Sequence, residues 1–94
     1  MQIRWLKKAL ENLDSEAKYI AEDNPQAAEI VVARIRDSVN QLTDDQALGR
    51  PGRVVGTREL VVQKTRYIIP YRVRNNCIEI LRVFHTSRKL PHRW

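Results

Sequence analysis

The sequence predicts an α+β fold: a short N-terminal strand and an antiparallel helical hairpin packed on a C-terminal antiparallel β-meander. Three observations predict it. Two stretches with apolar residues at steps of three and four fill the first half, three β-rich runs fill the second, and a segment rich in Gly and Pro separates them. The 94 residues suit one domain spanning 1–94 with a modest core.

Residues 2–5 alternate polar and apolar and form the opening strand. Leu6, Leu10, Leu13, Ala17, Ile20 and Ala21 then recur at helical spacing, which assigns them to the inner stripe of a first helix. It ends near Asp23-Asn24. Asn24 is a natural N-cap for a second helix with Pro25 at its first position, where a missing N–H costs nothing. Ala28, Val31, Ile35, Val39 and Leu42 form the inner face of that helix. So short a turn makes the two helices antiparallel.

Residues 44–57 hold Gly49, Pro51, Gly52 and Gly56 without periodicity and read as a loop. The β-rich runs follow at 58–64, 66–74 and 77–85. Asn75-Asn76 tolerate positive φ and suit a two-residue hairpin. In 66–74 the alternation of Tyr67, Ile69, Tyr71 and Val73 with Ile68, Pro70, Arg72 and Arg74 predicts one packed face and one that turns basic. Pro70 cannot donate to a ladder, so its nitrogen must face an edge, a bulge or a gap. The run 77–85 is apolar on both faces and reads as a central strand.

Charge is divided unevenly. Residues 1–48 carry six Lys or Arg against nine Asp or Glu, a net of −3, while residues 49–94 carry eleven bases against Glu59 and Glu79, a net of +9. A strand-rich half this basic draws polyanions or an acidic protein and points to one working face, unless the charge only keeps a surface solvated. The single Cys77 excludes an internal disulfide and reads as a small core residue. No apolar run approaches the roughly 18 residues of a membrane span and no leader pattern follows Met1, so the expectation is a cytoplasmic protein without a membrane partner. No Cys/His set has metal-ligand spacing and no phosphate-cradling GxxxxGK run occurs; neither metal nor cofactor is expected.

The run 56–62 (Gly-Thr-Arg-Glu-Leu-Val-Val), then 67–73 (Tyr-Ile-Ile-Pro-Tyr-Arg-Val), then 78–85 (Ile-Glu-Ile-Leu-Arg-Val-Phe-His), closing with Arg88, resembles the RelE/ParE superfamily of bacterial type II toxins. Asp23-Asn24-Pro25 and Gly49-Arg50-Pro51-Gly52 extend the resemblance over nearly the whole chain, closer to the ParE-like branch. It implies a toxin of a type II toxin–antitoxin module, causing growth arrest and, on plasmids, plasmid stabilisation. Its cognate antitoxin would cover the active face with an acidic, partly disordered segment. Two targets are implied within the superfamily: RelE-like members cut mRNA in the ribosome, and ParE-like members act on DNA gyrase without cutting RNA.

The residues leave the two mechanisms open. Metal-independent RNA cleavage needs a base, an acid and cations against the phosphorane. For it, His85 and Arg88 are the catalytic candidates, with Lys89 beside them, Arg66 and Arg53 on flanking phosphates, and Trp94 to stack on a base. The plainer reading of His85, which outweighs the catalytic one, is a strand-end histidine bonded to its own loop, and His92 is a tail residue. Against RelE chemistry, the positions aligned with that branch's cationic residues read Glu59, Val61 and Gln63. Gyrase inhibition needs only a complementary surface. Arg53, Arg58, Arg66, Arg72, Arg74, Arg82, Arg88 and Lys89 are its target-binding candidates, with Trp94 or Tyr67 as an aromatic anchor. Tyr67, Tyr71 and Phe84 also suit ordinary core packing. A non-catalytic basic nucleic-acid-binding domain is a third reading, weakened because most aromatics are needed for the core. Gyrase inhibition ranks first of the three.

Overall fold

The computed structural model of the chain describes residues 1–88 and 93–94. Strand β1 (Gln2–Trp5) leads into helices α1 (Lys7–Asp23) and α2 (Pro25–Asn40). A 3-10 turn at Gln41–Thr43 is followed by β2 (Arg50–Pro51), β3 (Arg58–Val61), β4 (Tyr67–Arg74), β5 (Cys77–Ile80) and β6 (Phe84–His85). The sheet runs β1-β5-β4-β3-β2, with β6 also paired to β4. The meander is antiparallel, but β1 joins β5 in parallel and the sheet is therefore mixed. The α+β reading holds.

Local chemistry explains the joints. Asn24 accepts the Ala27 N–H on its side chain at 3.1 Å and Pro25 opens α2, so a donor that the helix leaves unpaired is satisfied. Asn75 and Asn76 take φ values of 53° and 58°, the left-handed pair that a two-residue hairpin requires.

Pro70 governs the far end of the sheet. Its carbonyl accepts from Leu81 at 2.9 Å, so its nitrogen, on the same side of the strand, faces a neighbour that receives no bond from it. There the run 77–85 leaves the ladder. What the periodicity predicts as one central strand is two, β5 and β6, separated by residues 81–83. The Val83 N–H donates instead to Asn12 Oδ1 of α1 at 3.2 Å. Residues 44–57 likewise contain the short strand β2, paired antiparallel with β3.

The core lies between the helical hairpin and one sheet face, where Ala9, Leu13, Ile35, Val39 and Leu42 meet Leu60, Ile69, Tyr71, Ile78 and Ile80. Leu10 is not part of it and is 48% exposed. The inner stripe of α1 is rotated because two polar residues, Asn12 and Glu16, turn inward to bond Val83 and Tyr67. The expectation that β4 turns basic along one whole face also needs correction. Tyr67 through Tyr71 are buried on both faces, and the basic alternation is confined to Arg72 and Arg74.

Candidate functional site

Strand register decides which basic residues share a face. On β3, Glu59 stands opposite Pro70 and Arg50; on β5, Glu79 stands opposite Arg72 on one side and Arg4 on the other. These residues alternate with the core set and therefore occupy the sheet face turned away from the helices. On that face the two acidic residues of the basic half become its organisers. Glu59 is buried, and its Oε2 accepts from the Arg53 backbone N–H at 2.9 Å and from Arg53 Nε at 3.0 Å. Its Oε1 accepts from Arg53 Nη2 at 3.3 Å and Arg50 Nη2 at 3.4 Å. Burial pushes this carboxyl up, but the Arg53 hydrogen bonds outweigh it and hold it below the usual carboxylate range. Glu79 receives Arg72 Nε at 2.6 Å, with Arg74 Nε at 3.6 Å from the same oxygen. The Arg72 hydrogen bond, against burial and helped by the charges of Arg72, Arg74 and Arg4, holds its carboxyl down as well.

Trp94 closes one end of this face. Its indole N–H donates to Thr57 Oγ1 at 3.3 Å, its ring lies 5.3 Å from that of Phe84, and the Arg53 guanidinium sits 5.9 Å from its centre. Arg82 donates to the Leu81 and Trp94 backbone oxygens.

His85 lies elsewhere. It stands opposite Tyr67, a core residue of the helical face, and beside α1. The two rings meet edge-on at 5.2 Å, the Tyr67 hydroxyl donates to Glu16 Oε1 at 2.8 Å, and Arg88 Nη1 donates to Glu16 Oε2. A cavity of about 410 Å3 opens here, lined by Tyr19, Thr65, Arg66, Tyr67, His85 and Arg88. Burial raises the Glu16 carboxyl, and the hydrogen bonds from Arg88 and Tyr67 bring it below its ordinary value. Burial and the bond to that carboxylate push the Tyr67 phenol well above its own. His85 Nδ1 accepts from the Ser87 backbone N–H at 3.2 Å and lies 2.6 Å from Ser87 Oγ. With Nδ1 accepting that N–H, a neutral ring carries its proton on Nε2 and has no free lone pair to take one from a 2′-hydroxyl; the closer Ser87 Oγ contact fits either tautomer.

The predicted site residues thus fall in three places. Arg53, Arg72, Arg74, Arg82 and Trp94 share the face away from the helices; His85, Arg88, Arg66 and Tyr67 surround the cavity beside α1. Arg58 is opposite Tyr71, on the helical side, and donates to the Gly49 carbonyl at 2.7 Å, where it braces the loop. Lys89 and His92 lie outside the described residues. Among the described residues, Arg66 is the one arginine of the predicted target-binding set whose side chain makes no hydrogen bond or ion pair. Glu16, Glu59 and Glu79 are the residues that sequence reasoning missed as organisers. For the last two the available signal was their isolation, as the only acids in the basic half.

Relatives agree with this architecture. A curated protein of Sinorhizobium fredii named "Putative toxin Y4kP" is 48% identical over 90 residues, covering 96% of this chain and 93% of that protein. "Toxin RelE2" of Caulobacter vibrioides is 31% identical over 87 residues, covering 93% of this chain and 97% of the relative. Among solved structures, a chain of the "Chromosomal ParDE TA system from P. aeruginosa" superposes with a TM-score of 0.81 at 32% identity, covering 90% of this chain and 95% of that one. The sequence model described as "ParE toxin of type II toxin-antitoxin system, parDE" matches residues 3–90, and the chain belongs to that family of toxins, whose module pairs each member with an antitoxin.

Proposed function

We propose that this toxin arrests growth by docking on DNA gyrase without performing chemistry, and that a cognate antitoxin with an acidic, partly disordered segment neutralises it in the cytoplasm. One observation carries the reading: the groups a ribonuclease would need are already engaged inside the protein. Arg88 is held by Glu16 and Arg53 by Glu59, and the His85 lone pair is held by Ser87. Drawing Arg53 or Arg88 onto a phosphate would take the nearest guanidinium from a carboxylate that is at most 12% exposed. Docking asks no such reorganisation, because the surface is used as it is built.

The family resemblance supplies gyrase as the target, and pulse labelling of DNA and protein synthesis within minutes of induction tests it. DNA synthesis is expected to fall first, with His85→Ala as potent as the unaltered toxin. Early loss of translation that His85→Ala prevents would establish mRNA cleavage instead.

A further inference from the structure

The face away from the helices carries a second cavity, of about 550 Å3, which the chemistry of His85 does not touch. Arg72, Arg74 and Arg82 line it together with Leu81, Trp94 and Val55. Its charges do not balance. Arg72 and Arg74 converge on one oxygen of Glu79, at 2.6 and 3.6 Å, and Arg4 stands opposite the same residue on β1. Two guanidinium groups therefore share one carboxylate, with the charge of a third across the strand pair. Arg74, the distant member, has a side chain 58% exposed and keeps most of its donors for another acceptor.

Val55 gives the cavity its second character. It is 99% exposed, on a loop whose next residue, Gly56, turns the chain at φ +83°. Folding makes no use of a valine in that position, and a phosphate would not select it. The aromatic wall does not suit a nucleobase either, because the Trp94 ring is engaged by Phe84 and Arg53 and its N–H by Thr57. Surplus guanidinium groups beside a bare aliphatic side chain match a protein segment that pairs a carboxylate with an apolar residue.

We infer that this cavity is the toxin's dock for its target protein, receiving an acidic segment whose carboxylate meets Arg74 and whose adjacent apolar side chain packs on Val55. The inference deepens the proposed function and rests on its reading of a toxin that docks on a protein. Both anchors are exposed, so both can be changed without disturbing the core. Val55→Asp and Arg74→Glu, with Arg74→Gln in case reversed charge next to Glu79 impairs folding, would be induced without antitoxin, and survival counted. In parallel, each is co-purified with the antitoxin and its melting temperature measured.

The expected result is at least a tenfold gain in survival for Val55→Asp and for both Arg74 variants, with antitoxin capture and melting temperature unchanged. Killing as strong as that of the unaltered toxin overturns the inference. Loss of killing at Arg74 alone also overturns it, in favour of a nucleic-acid phosphate; loss at Val55 alone overturns it too, because no carboxylate of the partner then meets Arg74. Loss of antitoxin capture overturns it by assigning the cavity to the antitoxin. Pulse labelling of the unaltered toxin tests gyrase separately, so a different target would leave the survival result to decide the dock by itself.

Discussion

Glu59→Gln tests whether the basic face is held by its buried carboxylate. The substitution keeps side-chain volume but replaces one acceptor oxygen by an amide that donates. Glu59 Oε2 serves the Arg53 backbone N–H and Nε, and Oε1 serves Arg53 Nη2 and Arg50 Nη2. A glutamine keeps its oxygen on the shorter pair and sets its NH2 against two guanidinium donors. A hydrogen bond to a charged group contributes about 1.5–3 kcal/mol. The guanidinium side chains are 37% and 56% exposed and can turn to water, which lowers the loss to about 1–3 kcal/mol. In a domain of this size that is a fall in Tm of about 5–20 °C. The pH dependence carries a sign. The folded Glu59 carboxyl is depressed, so its contribution is present above the unfolded carboxylate value and lost as pH falls through the folded one. The gap between the two proteins should therefore be widest near neutrality and close in acid. Thermal unfolding followed by circular dichroism from neutral pH into the acid range reads both quantities. A Tm within one degree of the unaltered toxin, or a gap that does not narrow in acid, would refute the argument.

Two further outcomes are expected. The Tyr71 hydroxyl donates to the Gln46 carbonyl and accepts the Gly49 N–H, each at 2.8 Å, so Tyr71→Phe strands two backbone groups and should cost about 1–3 kcal/mol in urea unfolding with the m-value unchanged. Removing the cap on α2 with Asn24→Ala should cost about 1 kcal/mol in the same assay, while Asn24→Asp, which keeps the acceptor, should not.

Features set by neighbours in sequence were legible before the structure. The cap at Asn24, the hairpin at Asn75-Asn76 and the gap that Pro70 demands all follow from the conformational limits of one or two residues. Features set by contacts between distant residues were not. Leu10 fits the helical period but Asn12 and Glu16 hold the inner stripe, because their partners are Val83, Tyr67 and Arg88. Lys64 takes φ 61° with its carbonyl bonded to Arg34 Nη1 at 3.2 Å, and a lysine gives no sign of a left-handed turn. The working face was the costliest omission. Eleven bases in one half suggest a continuous surface, whereas strand parity and the break at residues 81–83 divide the described arginines of the predicted site between two faces.

That division changes what the charge can do. At distances near a Debye length, a partner meets the summed charge of the basic half, +9 with Glu59 and Glu79 already counted. Internal pairing does not reduce that pull. At contact distance the relevant quantity is the number of unengaged donors, and there the pairing is decisive: Arg53, Arg72 and Arg88 each spend hydrogen bonds on a carboxylate of this chain. The protein therefore attracts acidic partners strongly while holding few cations ready for a transferring phosphate. A catalytic clamp needs the reverse, donors placed and unengaged before the substrate arrives. A toxin that acts by occupying a surface needs only long-range attraction and a small set of close contacts, and Arg66, Arg74 and Val55 are exposed side chains able to make them.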